Sequence, residues 1–322
     1  MLILLTGVAG FIGARTAQLA LDAGHEVVGL DNLNDYYDLR LKRHRLEPLI
    51  QSPGFRFIEM DIEDAPVLER VFADTRFDAV INLAARAGVR ASITDPRIYL
   101  TTNTGGTLNL LECMVRHQVG KFVIASTSSL YAGQPMPFSE ESIVSRPISP
   151  YAATKLAAEA LCHVWHHLHG IDVSVVRYFT VYGPAGRPDM SPFLFSESIR
   201  RRLPISLFGD GSQTRDFTYI DDIARGTLGA LQPLGFEIIN LGGGFTPMSV
   251  NSMIAQLEEN LGTTAIIQHQ PVIAADMQDT SADVSKAARL LNWHPTTPPA
   301  LGFQLTAQWH TQHADWLDTV VL

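Results

Sequence analysis

Short apolar runs recur along the chain at intervals: Leu2–Leu5, Val27–Leu30, Phe55–Met60, Ala79–Leu83, Phe122–Ala125 and Val173–Val176, with Glu237–Leu241 reading as one more strand. Between them, apolar residues return every three or four positions over about Ala14–Ala23, Ala65–Ala73, Thr104–His117, Ala152–His167 and Asp221–Leu231. A short continuous run suits a strand buried on both faces, and the wider spacing suits an amphipathic helix. Their alternation predicts an α/β fold, a parallel sheet covered on both sides. After Tyr182-Gly183-Pro184 the rhythm loosens. Pro184, Pro188, Pro192 and Pro204 punctuate short pieces, and Phe208-Gly209-Asp210-Gly211 reads as a turn. Helices resume near Val250–Leu261, Ser285–Leu291 and Leu301–Trp316. The expected organisation is one domain from 1–181, with 218–245 returning to it, and a smaller, discontinuous α/β domain from 182–217 and 246–322.

The first thirty residues read as strand, glycine turn, helix, strand. Gly7, Gly10 and Gly13 stand in the turn with Phe11 and Ile12 between them, and Asp31 ends the second strand. Glycines at such a place serve a tight turn, close approach of the backbone to a pyrophosphate, and close helix–strand packing. The helix N-terminus then receives the phosphate charge. Asp31, 18 residues after Gly13, is placed to accept from a ribose diol, and its charge repels a 2′-phosphate. The expected cofactor is therefore NAD, on a Rossmann-type doubly wound parallel sheet. Arg40, Lys42, Arg43 and Arg45 nearby keep NADP open. The spacing Gly-x-x-Gly-x-x-Gly is looser than the dehydrogenase fingerprint.

Strand ends in such a sheet point to the ligand crevice. They carry Asp61-Ile62, Leu83-Ala84-Ala85, Ser126-Thr127-Ser128-Ser129 and Tyr178-Phe179-Thr180. Tyr151 and Lys155 follow Ser149-Pro150, a favourable helix start, and four-residue spacing puts both on one face. An ammonium beside a phenol favours the phenolate, so Lys155 is expected to draw the Tyr151 pKa down toward the working pH and make it a general base or acid.

Composition narrows the partners. The 322 residues carry a formal charge of −9, which argues against nucleic acid and anionic membranes. No apolar run approaches a membrane span, and Met1–Leu5 lacks the basic region and length of a signal peptide. Cys113 and Cys162 lack metal-ligand spacing and fit reduced thiols in a cytoplasmic protein. His163 and His167 have the spacing of a zinc pair, but no third ligand is evident; a solvated or interface helix face is the expectation, and no metal.

With these features in order, the chain resembles the extended short-chain dehydrogenase/reductase family, and within it the UDP-glucuronate 4-epimerases. Asp31–Asp38, Leu83–Arg90, Arg177–Pro184 with Gly186–Met190, and Arg215–Asp222 carry the resemblance. It implies an isomerase acting on a nucleotide sugar, UDP-glucuronate to UDP-galacturonate, with NAD held throughout and a homodimer pairing through Thr104–His117 and Ala152–His167. It implies Thr127, Tyr151 and Lys155 as catalytic. Asp31, Asn32, Asp61, Ile62, Leu83, Ala84, Ala85 and Tyr178 would hold NAD with the glycine turn. Arg215 would bind the diphosphate and Asp276 the uridine ribose. Ser128, Ser129 and Thr180 offer donors for the sugar carboxylate, with Arg90 and Arg187 as sources of charge. Hydride leaves carbon 4, the 4-keto sugar turns, and hydride returns to its other face. That ketone lies β to the carboxylate, so the site must hold the carboxylate against loss of carbon dioxide. A UDP-glucuronate decarboxylase is the nearest rival, and the Gly209–Arg215 stretch resembles that branch. The decarboxylases carry an acid where this chain has Ser129. A UDP-glucose 4-epimerase is opposed by Thr180, where an Asn would stand, and by Ile273, where an Arg would. A non-catalytic NAD-binding protein is opposed by the intact Tyr151 and Lys155.

Overall fold

A computed structural model describes residues 1–272 and 277–321. Six parallel strands, β1 (Leu2–Thr6), β2 (Glu26–Asp31), β3 (Phe55–Glu59), β4 (Ala79–Asn82), β5 (Lys121–Thr127) and β6 (Asp172–Tyr178), lie in the order 3-2-1-4-5-6. The strand Phe236–Leu241 adds to β6, also in parallel, and completes a seven-stranded sheet.

Helices cover both faces. On one side α1 (Phe11–Asp22) turns Ala14, Ala17 and Ala20 inward, small residues that let it sit close to Ile3, Leu5 and Val27. Leu46 and Leu49 of α2 (Leu39–Ile50) join that core, as do Ile223 and Ala230. On the other side Leu68, Val71 and Phe72 of α3 (Ala65–Asp74) meet Val80 and Phe122. Two short helices, α4 (Val89–Thr94) and α5 (Pro96–Tyr99), lead into a π-helical segment, Leu100–Gly106. From it α6 (Thr107–Arg116) continues, burying Leu110, Leu111 and Met114 in the same core. The 20-residue α7 (Pro150–His169) has Ser149 as its N-cap, accepting from Ala152 N–H at 3.2 Å, with Pro150 first and Gly170 in the left-handed region behind it. It contributes Ala158 and Cys162 to the core.

Beyond Thr180 the regular elements are small. Thr180–Tyr182 pairs with Phe217–Tyr219, Thr214–Arg215 with Met248–Ser249, and Pro204–Phe208 with Ile266–Gln270. Helices Ser191–Arg200, Val250–Leu261 and Pro299–Gln312 enclose them. Tyr182, Phe195, Leu207, Met253, Leu257 and Phe303 share one core here, with Tyr182 stacked on Phe303 at 4.3 Å. No helix among the described residues is long and apolar enough to cross a membrane.

Candidate active site

Strand order reverses between β1 and β4, and open α/β sheets bind ligands at that point, beyond the carboxyl ends of the strands. A cleft of ≈ 350 Å³ lies there. Gly7, with φ at +71°, turns the chain into it. A Cβ on Gly7 would stand 2.7 Å from the Ala84 nitrogen, and one on Gly13 would stand 2.1 Å from the Gly7 oxygen. The turn is thus pressed against the end of β4 and against its own helix. Helix α1 starts at Gly10 without a side-chain cap, so the N–H groups of its first turn, Phe11 to Gly13, form an anion seat on the cleft wall.

At the tip of β2, Asp31 accepts from Ala9 N–H at 3.1 Å and Leu33 N–H at 2.9 Å, with Lys42 Nζ at 3.5 Å. Four acceptor sites on a carboxylate leave room for a diol. Asn32 donates to Asp61 at 2.6 Å, and both line the cleft with Ile62, Leu83, Ala84, Ala85 and Tyr178. Two of the other cations near Asp31 are committed elsewhere. Arg40 pairs with Asp38. Arg45 donates to the Ala9, Ala185 and Gly186 carbonyls and to the Tyr37 hydroxyl, stitching the glycine turn to the Ala185-Gly186 loop.

At the far end α7 delivers Tyr151 and Lys155. The Thr127 hydroxyl lies beside the Tyr151 phenol and favours its ionised form. Thr127 Oγ1 accepts from Ser129 N–H at 3.1 Å, so its own proton remains available to donate. Lys155 Nζ donates to the Ala125 carbonyl at 2.8 Å. Tyr99 sets its ring edge against Tyr151 at 6.2 Å. The electrostatics correct one expectation. Burial pushes the Tyr151 phenol up, outweighing the Thr127 hydroxyl and the Arg187 charge that pull it down. Lys155 is itself drawn down to about 8 by burial, with Glu159 opposing. Desolvation of the phenolate, rather than the neighbouring ammonium, sets the direction.

Ser128, Ser129, Thr180 and Arg187 line the same cleft as Tyr151. Arg187 grips Asp189 through two hydrogen bonds, at 3.1 and 2.6 Å, so its charge arrives already matched. Arg90 and Arg215 lie outside the lining. The guanidinium of Arg90 stacks 4.3 Å over the Phe208 ring, and Arg215 donates to the Thr214 and Gln278 carbonyls. Asp276 and Ile273 fall outside the described residues. On α7, His163 packs its ring against Phe236 and His166 bonds the Ile171 carbonyl at 2.8 Å. Cys113 and Cys162 are buried free thiols. Among the described residues no group of three or more His, Cys, Asp and Glu is gathered for a metal ion.

Two contributors, Tyr99 and Asn103, carry no motif or period that would mark them. Tyr99 donates to the Ala87 carbonyl at 3.0 Å, as Tyr36 does at 3.1 Å, fixing the loop after β4. Asn103, inside the π segment, bonds both backbone groups of Arg86 and the Thr154 hydroxyl of α7. The Tyr36-Tyr37 doublet was visible in sequence only as part of the resemblance.

Known proteins share this arrangement. The model of the NAD dependent epimerase/dehydratase family matches residues 3–242. The chain is 52% identical over 317 residues to the UDP-glucuronate 4-epimerase of Thermodesulfobacterium geofontis strain OPF15, covering 98% of each. It matches the crystal structure of UDP-glucuronic acid 4-epimerase from Bacillus cereus, in complex with UDP-glucuronic acid and NAD, with a TM-score of 0.91 and 38% identity over 97% of this chain and 99% of that one. For the UDP-glucose 4-epimerase of Thermotoga maritima, with UDP-glucose, the TM-score is 0.90 and the identity 31%, over 98% and 100% of the two chains. The family match runs from the first strand through the glycine turn to the edge strand of the sheet, and the chain belongs to the NAD dependent epimerase/dehydratase family.

Proposed function

We propose that this protein is an NAD-dependent UDP-glucuronate 4-epimerase, interconverting UDP-glucuronate and UDP-galacturonate. The observation that carries this reading is the end of β5. Beside Thr127 and the Tyr151 phenol, the cleft presents the hydroxyls of Ser128, Ser129 and Thr180 and no carboxylate at that strand end. The relatives named above support the substrate and the cofactor.

The glycine turn, the uncapped start of α1 and the Asp31 carboxylate suit a dinucleotide, since a Cβ at Gly7 or Gly13 would collide with backbone. Asn32, Asp61, Ile62, Leu83, Ala84, Ala85 and Tyr178 would complete its seat, with Lys155 at the nicotinamide ribose. NAD bound there supplies a reversible acceptor for the hydride of sugar carbon 4. Tyr151 takes the proton of the hydroxyl on that carbon and later returns it. Thr127 donates to the phenol oxygen, so it stabilises the phenolate as the proton leaves. Ser128, Ser129 and Thr180 hold the sugar carboxylate and keep its bond to the ring out of line with the carbonyl π system. Arg187, matched by Asp189, adds charge at the edge of that grip. Arg215 and Asp276 are assigned to the diphosphate and the uridine ribose, and Arg90 to the rim of the substrate site. The substrate side is then built from 182–217 and 246–322, and the cofactor side from 1–181 with 218–245.

Incubating the protein with NAD and UDP-glucuronate, followed by proton NMR, tests the proposal. The expected product is UDP-galacturonate with no free NADH. A UDP-pentose with carbon dioxide would replace the reading with a decarboxylase, and turnover of UDP-glucose alone would replace the substrate. We further propose a cytoplasmic homodimer. Leu100, Val164 and Leu168 are exposed apolar residues on the π segment and α7, where a second copy would cover them. Light scattering should return twice the 35.4 kDa of one chain, and a monomer would remove that part.

A further inference from the structure

Helix α7 meets the end of β5 through three consecutive rungs. The Thr127 hydroxyl stands beside the Tyr151 phenol, the Ala125 carbonyl accepts from Lys155, and Ser126 Oγ donates to Glu159 at 2.5 Å. Tyr151, Lys155 and Glu159 stand four residues apart, so one helix face makes all three. The third rung has no part in the chemistry described so far. Glu159 is only 5% exposed, and its second set of bonds runs to Arg177 of β6, at 3.0 and 2.7 Å. Arg177 also donates to the Tyr131 hydroxyl, which donates to Asn240 on the edge strand. A buried ion pair with every donor and acceptor met is a costly thing to place behind a helix that apolar packing already holds.

We propose that Glu159 is a positioning residue for the proton-transfer pair: anchored by Arg177, it locks α7 in register with the end of β5 and so sets the separation of the Tyr151 phenol and the Thr127 hydroxyl. Its charge has a second effect, because it is the nearest anion to Lys155 on the helix. Burial draws the Lys155 ammonium down and Glu159 opposes this. The other groups about this end of α7 are Cys162 on the helix itself, Arg177 from β6, Tyr131 and Glu140 behind Arg177, and Arg187 across the cleft beside Tyr151.

The proposal rests on the epimerase reading, so the wild-type chain is assayed beside the variants with NAD and UDP-glucuronate. In Glu159→Gln, kcat should fall roughly 10- to 100-fold, the scale expected of a small misplacement of reacting groups. KM should stay within about twofold, since no substrate contact is touched. The alkaline limb of the kcat profile should begin at lower pH, because Lys155 loses its proton earlier without the anion. Should the unmatched Arg177 prevent folding, Glu159→Met with Arg177→Met removes both charges, a change that buried pairs commonly survive. That variant is expected to show the same kcat loss and the same displaced limb. A folded Glu159→Gln or double variant with wild-type kcat and an unmoved limb overturns the proposal. A wild-type chain without turnover takes down the functional reading, and this proposal with it.

Discussion

A phenol partly shielded from water resists ionisation, and burial pushes Tyr151 that way, with Thr127 and Arg187 as the groups that favour its charged form. Its role therefore depends on where the proton can go rather than on a resting phenolate. Tyr151→Phe keeps the ring and its edge contact with Tyr99 but removes the proton carrier. We expect turnover to fall roughly 10²- to 10⁴-fold, the usual worth of a positioned acid or base. NAD binding, measured by calorimetry, should be little changed, and a variant that fails to fold would make Tyr151 a structural residue. Spacing set Tyr151 and Lys155 on one helix face and Thr127 at a strand end, because those are local properties, and only the resemblance joined the three. Sequence alone could not weigh burial against charge, which is why the direction of the Tyr151 shift was misread. Nor could it foresee that Arg187 would arrive paired to Asp189.

At the scale of elements, the central strands were legible because a strand buried on both faces writes itself as an uninterrupted apolar run, and Ala79–Leu83 became Ala79–Asn82. Phe55–Met60 became Phe55–Glu59, an edge strand that Arg56 and Glu59 interrupt and that keeps only part of its surface covered. Helix α2 was not legible. Its Leu41, Leu46 and Leu49 point inward from a stretch crowded with Lys and Arg, with Pro48 inside it. The two-residue and three-residue strands beyond Thr180 are too short for any period to show. The helix expected over Thr104–His117 begins as a π segment at Leu100, with Gly106 close against Ile62, where a Cβ would fall 2.5 Å from the side chain. The glycine turn gives the clearest prediction at this scale. In Gly13→Ala the added methyl meets the Gly7 carbonyl, and overpacking of about 1–3 kcal/mol or more is expected. The melting temperature should fall and NAD affinity with it; a variant that melts and binds like the wild type would mean the turn relaxes freely.

Across the whole molecule, the last helices are fastened by charge. Glu197, fully buried, accepts from Arg200, Arg201 and His310, joining helix Ser191–Arg200 to Pro299–Gln312. Burial alone would raise its pKa, but His310 and Arg200 outweigh that and hold it at about 2. A carboxylate depressed on folding contributes stability that is present above its ordinary pKa and lost as pH falls through the folded one. The stability of the protein should therefore decline between about pH 4.5 and 2, followed by circular dichroism. Glu197→Gln should lose roughly 3–5 kcal/mol at neutral pH and flatten that decline; an unchanged acid profile would deny Glu197 the role. Arg45 fastens a different seam, between the glycine turn and Ala185-Gly186. Its consequence is one of traffic. A molecule fastened beside the pyrophosphate seat is expected to resist releasing a dinucleotide by gaping at that end. The large cofactor would then be a lodger rather than a visitor. Arg45→Lys, which loses the fork of donors, should let bound NAD exchange with labelled NAD several times faster, and an unchanged exchange rate would show that the lodger is kept by other means.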